Sequence, residues 1–308
     1  MDDCAAIWPE GARAEAKLGL AVSGGPDSLA LLLLAHAGFP GRIEAATVDH
    51  QLRDGSAGEA EAVAQLCLSL AVPHAVLKVD VAPGNLQSQA RSARYAVLAG
   101  WLGERGLAAL ATGHHADDQA ETLLARLNRA SGVAGLAGVR ARGRIPETDI
   151  PLLRPLLGWR RAELAQVVAE AGVVAAQDPS NSDVRFDRVR LRQALAKADW
   201  IDVPALAASA GHLADADAAL DWAAQREWAE AVVREGLGIT YRPRAPRAIA
   251  LRVLERICRE MGEDDLRGSA LARLYDTLRA RQPMSIGNLV ARATHEGWSF
   301  TRAPQRRA

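Results

Sequence analysis

Short apolar runs recur through the first 130 residues: Leu18–Val22, Ile43–Val48, Ala75–Val79 and Leu107–Ala111. Longer segments suited to helices lie between and after them, at Leu29–Ala37, Gly58–Ala71, Leu86–Gly103 and Ala116–Arg129. Strand alternating with helix predicts βαβ units and an α/β fold, with a parallel sheet covered on both faces. Ligands of such sheets bind beyond the C-terminal strand ends. Three polar clusters fall there: SGGPDS after the first strand, DHQLRD after the second and GHHADD after the fourth.

The pattern changes after Gly132. A Gly/Arg-rich loop (132–144) leads to IPLLRPLLGW, a helix near Arg160–Ala171, the turn DPSNSD and the arginine-studded helix RFDRVRLRQALAKA. A long alanine-rich helical pattern runs from about Val203 to Glu235, until the two prolines of YRPRAPRA break it. Ile249–Met261 and Leu266–Arg281 have amphipathic helical spacing, and SIGNLVARATHEGWSFTR predicts a short hairpin or two strands. The expected division is a larger domain at residues 1–204 and a smaller, mostly helical one at 205–308; the linker near 240 is the alternative boundary.

Composition is that of an ordinary globule, with 49% hydrophobic and 24% charged residues. No stretch approaches the roughly 20 apolar residues needed to span a bilayer, and the N-terminus is acidic without a signal-like apolar run. A cytoplasmic protein with no membrane association is expected. Three scattered cysteines (Cys4, Cys67, Cys258) form no CxxC pair, which argues against a disulfide scaffold, a thiolate zinc site or an iron–sulfur cluster. The zero net charge hides a split. Residues 240–308 hold 14 arginines against 7 acidic residues, so the rest of the chain carries the compensating negative charge. A polyanionic partner for the C-terminal part is one reading; arginine-rich composition is the other.

SGGPDS (Ser23, Gly24, Gly25, Pro26, Asp27, Ser28) sits on a tight strand-to-helix turn. Its glycines admit an anion close to the backbone, the helix start near Asp27–Ser28 presents free amides, and two hydroxyls add donors. It is a phosphate cradle without a P-loop lysine. Asp27 beside phosphates requires a cation between them; the plain alternative makes it a helix N-cap.

In HHADDQAET, a helix beginning near Ala116 puts Asp117, Asp118 and Glu121 on one face near its start, with His114 and His115 just ahead. Crowded carboxylates imply a compensating cation, a divalent metal or an ammonium. A permanent HHxDD metal site and a solvated acidic helix start are the rivals. Arg185, Arg188 and Arg192 form one stripe at i, i+3, i+7, suited to RNA phosphates or to a salt-bridged surface. His50 and Arg53 are open in the same way between phosphate contact and a structural ion pair.

SGGPDS resembles the SGGxDS loop of the PP-loop ATP pyrophosphatases, which cleave ATP between its α and β phosphates. VDHQLR, ARSARY, ATGHHADDQAETLLARLNRASG, RPLL and DPSN resemble, in order and spacing, the tRNA(Ile)-lysidine synthases over roughly residues 15–200. Two positions depart from the family pattern: Ala130 stands where it has glycine, and Val189 where asparagine is usual. The resemblance implies a Rossmann-like PP-loop domain and a small tRNA-contacting domain. It further implies ATP as substrate with Mg2+, L-lysine as the second substrate and tRNA(Ile) with a CAU anticodon as the third. Carried over by position, Ser23 to Ser28 hold phosphate, and Arg94, Asp118 and Glu121 join Asp27 around lysine. Asp27, His114, Asp118 and Glu121 then lie at the reacting centre, and the Arg185/Arg188/Arg192 stripe faces tRNA. The alternatives are a 2-thiocytidine synthetase, which the missing CxxC disfavours, and a non-catalytic RNA-binding relative. A homodimer is left open.

Overall fold

The computed structural model describes residues 6–49, 56–79, 86–176, 187–263, 266 and 268–303. His50, Arg53, the DPSN turn, Arg185 and Cys4 lie outside these. The chain divides into two compact units, Met1–Ala214 and Asp215–Ala308.

The first unit is built on a six-stranded sheet in the order β3-β2-β1-β4-β6-β5. Its strands are β1 (Leu18–Ala21), β2 (Ile43–Asp49), β3 (His74–Lys78), β4 (Ala109–Thr112), β5 (Arg142–Arg144) and β6 (Pro151–Leu153). All pairings are parallel except that of the edge strand β5 with β6. The helices are α1 (Pro26–Gly38), α2 (Ser56–Ser69), α3 (Leu86–Arg105), α4 (Ala116–Leu127), the single turn α5 (Val133–Leu136), α6 (Arg161–Glu170), α7 (Asp187–Lys197) and α8 (Val203–Ala231). The unit boundary falls inside α8.

Both sheet faces are covered, as continuous apolar strands require. On one face Leu29 and Leu32 of α1, Val63 and Cys67 of α2 and Leu164 and Val168 of α6 share a core with Leu18 and Leu20. On the other, Tyr95, Leu98, Trp101 and Leu102 of α3 pack with Ala46, Leu110 and Leu152. The chain runs outward from β1 through β2 and β3, then returns to β1's other side as β4. That reversal leaves a crevice at the C-terminal ends of β1 and β4, the switch point at which doubly wound sheets bind ligands.

The second unit carries a five-stranded antiparallel sheet, β7-β8-β11-β10-β9. It comprises β7 (Val232–Glu235), β8 (Gly238–Tyr241), β9 (Met284–Ile286), β10 (Leu289–Ala293) and β11 (Trp298–Arg302). The alanine-rich helix therefore ends at Ala231, where two β-branched residues begin a strand, and the expected terminal hairpin is three strands. Helices α9 (Arg247–Glu260) and α10 (Gly268–Arg279) bury Val253, Leu254, Ile257, Leu271, Leu274 and Leu278 against Tyr241, Ala291 and Phe300 of the sheet. Cys67 and Cys258 are buried free thiols. Among the described residues no helix is long and apolar enough to cross a membrane.

Candidate active site

The loop after β1 enters α1 earlier than expected. Pro26 occupies the first turn, where its fixed φ is already helical, and Gly25 is the N-cap. Asp27 is therefore not the cap, and its side chain is free for other work. Gly24 takes φ +86°, a left-handed conformation that favours glycine. Ser28 turns its hydroxyl inward, donating to the Gly25 carbonyl at 2.9 Å and accepting from the Ser23 amide at 3.1 Å. Its side chain fixes the shape of the loop, and Ser23, exposed, keeps its own hydroxyl 3.3 Å from Ser28 Oγ.

The loop after β4 lies directly against this turn. A Cβ on Gly113 would sit 2.7 Å from the Asp27 carbonyl oxygen, so only glycine permits the approach. Next to it, His114 Nδ1 lies 2.9 Å from Thr112 Oγ1. Burial holds the His114 imidazole well below its ordinary range. Asp118 pulls the other way, but Arg154, Arg94 and Arg91 push further down, to about 4. His114 is thus neutral near pH 7, and Arg94 is close enough for its charge to be felt there. The guanidiniums of Arg91 and Arg94 lie 5.1 and 5.3 Å from the Tyr95 ring centre. Arg154, from RPLL, is buried and donates to the Arg140 carbonyl at 2.7 Å.

His115, which the sequence places just ahead of the helix with no role beyond a rival metal site, bridges two of the carboxylates. Its side chain is 3% exposed, and Nε2 lies 3.5 Å from both Asp27 Oδ2 and Asp118 Oδ2. Nδ1 accepts the Asp118 amide at 3.3 Å, while Asp118 Oδ2 accepts the His115 amide at 3.1 Å. The pair forms a reciprocal cap on α4. Burial disfavours the imidazolium, but Asp27, Asp118 and Asp117 together outweigh it and hold the pKa above its ordinary value. Accepting at Nδ1 places the proton on Nε2, facing the two carboxylates.

The expected crowd of uncompensated carboxylates is resolved by the protein's own cations. Asp117 is gripped by Arg160, Oδ1 to Nη2 at 3.1 Å, and accepts the Arg161 amide at 2.8 Å. Burial alone would raise the Asp117 pKa; these partners outweigh it and lower it. Glu121, buried, is bound by Arg192. Arg192 therefore leaves the predicted outward stripe and faces the acidic cluster, with Asp118 and Asp27 also acting on its charge. Arg188 stays exposed, with Nη2 3.5 Å from Thr122 Oγ1. Val189, at the other departure from the family pattern, is buried in α7.

One acceptor is left over. Asp27 Oδ1 is buried and has no hydrogen-bond partner among the described residues. The spacing H-x-x-D is that of a capping box, and this was the available signal for His115; the residue type, not the usual Ser or Thr, concealed it.

Comparison with known proteins places these residues in context. The PP-loop domain family matches residues 5–199. A tRNA(Ile)-lysidine synthase of Novosphingobium aromaticivorans is 47% identical, over 94% of this chain and 90% of its own length. One of Zymomonas mobilis is 40% identical, again over 94% and 90%. Among solved structures, the U34-tRNA thiolase NcsA of Methanococcus maripaludis superposes with a TM-score of 0.55 over 68% of this chain and 75% of its own. At 15% identity, that last likeness speaks for the fold alone.

Proposed function

Since the chain belongs to the tRNA(Ile)-lysidine synthases of the PP-loop family, we propose that the crevice between the ends of β1 and β4 carries out lysidine formation in two steps. The enzyme is an ATP-dependent ligase that forms a carbon–nitrogen bond. In the first step O2 of the wobble cytidine of tRNA(Ile) attacks the α-phosphate of ATP, and pyrophosphate leaves. In the second, the ε-amine of L-lysine attacks C2, a proton is lost, and AMP leaves with its bonding electrons. The observation that carries this reading is the packing of Gly113 on the Asp27 backbone, with His115 joining Asp27 to Asp118. It sets a phosphate-binding turn beside an acidic helix start.

Each step asks something different of the crevice. Negative charge gathers on phosphate oxygens during adenylation, where the free amides at the start of α1, the Ser23 hydroxyl and the positive helix end are preorganised donors. Arg94, beside His114, suits the lysine carboxylate. Free lysine carries an ammonium with a pKa near 10.4 and must become neutral to attack. Asp118 suits the task of orienting that group and taking its proton. His114, held neutral, offers a hydrogen bond at the reacting centre without adding charge.

Mg2+ would accompany the ATP phosphates and neutralise their charge. Among the described residues no three His, Cys, Asp or Glu side chains form a metal cage. An ion held mainly by phosphates and by the unpartnered Asp27 Oδ1 fits this donor set. Residues 1–204 serve adenylation in this reading, and 205–308 serve tRNA contact. Asp27→Asn tests the site: tRNA-dependent release of AMP and pyrophosphate should fall by at least a hundredfold with the fold retained. Unchanged release would remove Asp27 from the chemistry.

A further inference from the structure

His115 does more than a helix cap needs. Capping α4 uses only Nδ1, which accepts the Asp118 amide at 3.3 Å, and asparagine, aspartate or serine serves that purpose as well. The ring reaches past the cap. Its Nε2 stands 3.5 Å from Oδ2 of Asp27 and 3.5 Å from Oδ2 of Asp118, so these oxygens are no more than twice that distance apart. The residue is buried, and the proton on Nε2 has the two carboxylates as its acceptors.

Asp118 Oδ2 also accepts the His115 amide at 3.1 Å. On both carboxylates it is therefore Oδ2 that turns to His115, while Oδ1 takes no part in the contact. Oδ1 of Asp27 is the buried acceptor without a partner. The start of α4 is pinned on its other side, where the Ala116 amide donates to the Trp159 carbonyl at 2.8 Å and Arg160 grips Asp117. Toward α1 it meets a second negative charge, and carboxylates this close push apart unless a donor stands between them. Arg192 acts on both charges, but its own hydrogen bonds go to Glu121.

We infer that His115 is a positioning residue that sets the register between the two half-reactions. It holds Oδ2 of each carboxylate, so that Oδ1 of Asp27 serves the phosphate side and Oδ1 of Asp118 serves the lysine amine. The inference rests on the proposed function for the two substrates and adds the group that fixes their separation. Adenylation needs the phosphate side alone. Transfer needs both, because the amine must meet C2 while the adenylate is still seated at the turn. A displacement of about 1 Å between reacting groups can cost a hundredfold in rate, so transfer is the step that feels the loss of His115.

Two variants separate the cap from the bridge. Asparagine places its side-chain oxygen as many bonds from Cβ as Nδ1 and keeps the cap. Glutamine places its amide nitrogen as many bonds from Cβ as Nε2 and keeps the donor. The full chain is given ATP, Mg2+, L-lysine and a tRNA(Ile) transcript with a CAU anticodon. Single-turnover release of pyrophosphate is timed against lysine incorporation, and urea unfolding is followed alongside. His115→Asn should unfold near the wild-type midpoint and release pyrophosphate at a rate near wild type. Its lysine transfer should slow about a hundredfold, and adenylated tRNA should accumulate. His115→Gln should unfold earlier, having lost the cap, yet keep the two rates near their wild-type ratio. Equal losses of both rates in His115→Asn, or wild-type transfer in that variant, would overturn the inference. A folded His115→Gln protein with the slow transfer expected of His115→Asn would overturn it too. If the wild-type chain releases no pyrophosphate with the transcript, the proposed function fails and takes the inference with it; failure of the inference alone leaves wild-type turnover intact.

Discussion

Arg192 Nε lies 2.7 Å from Oε1 of Glu121 and Arg192 Nη2 lies 3.4 Å from Oε2, so one guanidinium serves both oxygens of a carboxylate that is 1% exposed. The contact joins α7 to α4 beneath the proposed lysine site. Burying a lone carboxylate is costly, and removing the cation of such a pair destabilises by about 3–5 kcal/mol. Arg192 is 31% exposed, which favours the lower end of that range. Arg192→Ala should therefore lower stability by about 3 kcal/mol in urea unfolding, with the slope unchanged. Adding Glu121→Gln should restore much of the loss, since it removes the stranded charge. An unaltered midpoint in Arg192→Ala would show that the pair is not coupled to stability.

His114 gives a pH dependence with a definite sign. Its pKa falls from 6.5 to about 4 on folding. Between those values the unfolded chain holds a proton that the folded chain lacks. The stabilisation is complete above pH 6.5 and disappears as pH falls toward 4. The difference amounts to about 3 kcal/mol. His114→Gln should flatten the stability–pH curve over this window relative to wild type. Parallel curves for the two proteins would contradict the assignment.

Ala130 closes α4 in a left-handed conformation, φ +51°. The Ser131 amide bonds to the Arg126 carbonyl and the Ala130 amide to the Leu127 carbonyl, the pair of bonds that ends many helices on a glycine. Ala130→Gly should raise stability by about 1 kcal/mol, because the relief of backbone strain exceeds the added freedom of the unfolded chain. A fall in the unfolding midpoint would mean that the turn carries no strain.

Strands β1 to β4 were legible in the sequence because each is a short apolar run between helical segments. Strands β5 and β6 have three residues each, too few for a pattern, and β7 was hidden behind the alanine-rich helix that runs into it. The loop and acidic helix start were legible as local clusters, since Ser23–Ser28 and His114–Glu121 are each contiguous. Their partners were not. Arg160 lies 43 residues from Asp117, and Arg192 lies 71 from Glu121. Spacing shows that carboxylates share a helix face; only the fold brings the arginines that neutralise them. The same limit explains Arg192, which periodicity assigned to the solvent side with Arg188.

The central claim is that this crevice joins lysine to a cytidine of tRNA(Ile) at the expense of ATP. The most direct measurement incubates the protein with ATP, isotopically labelled L-lysine and a tRNA(Ile) transcript bearing a CAU anticodon, then digests the RNA to nucleosides for mass spectrometry. The account predicts one labelled nucleoside, heavier than cytidine by lysine less water, with AMP and pyrophosphate released in equal amounts. AMP release with no lysine in the RNA, or binding of the transcript with no ATP cleavage, would contradict it.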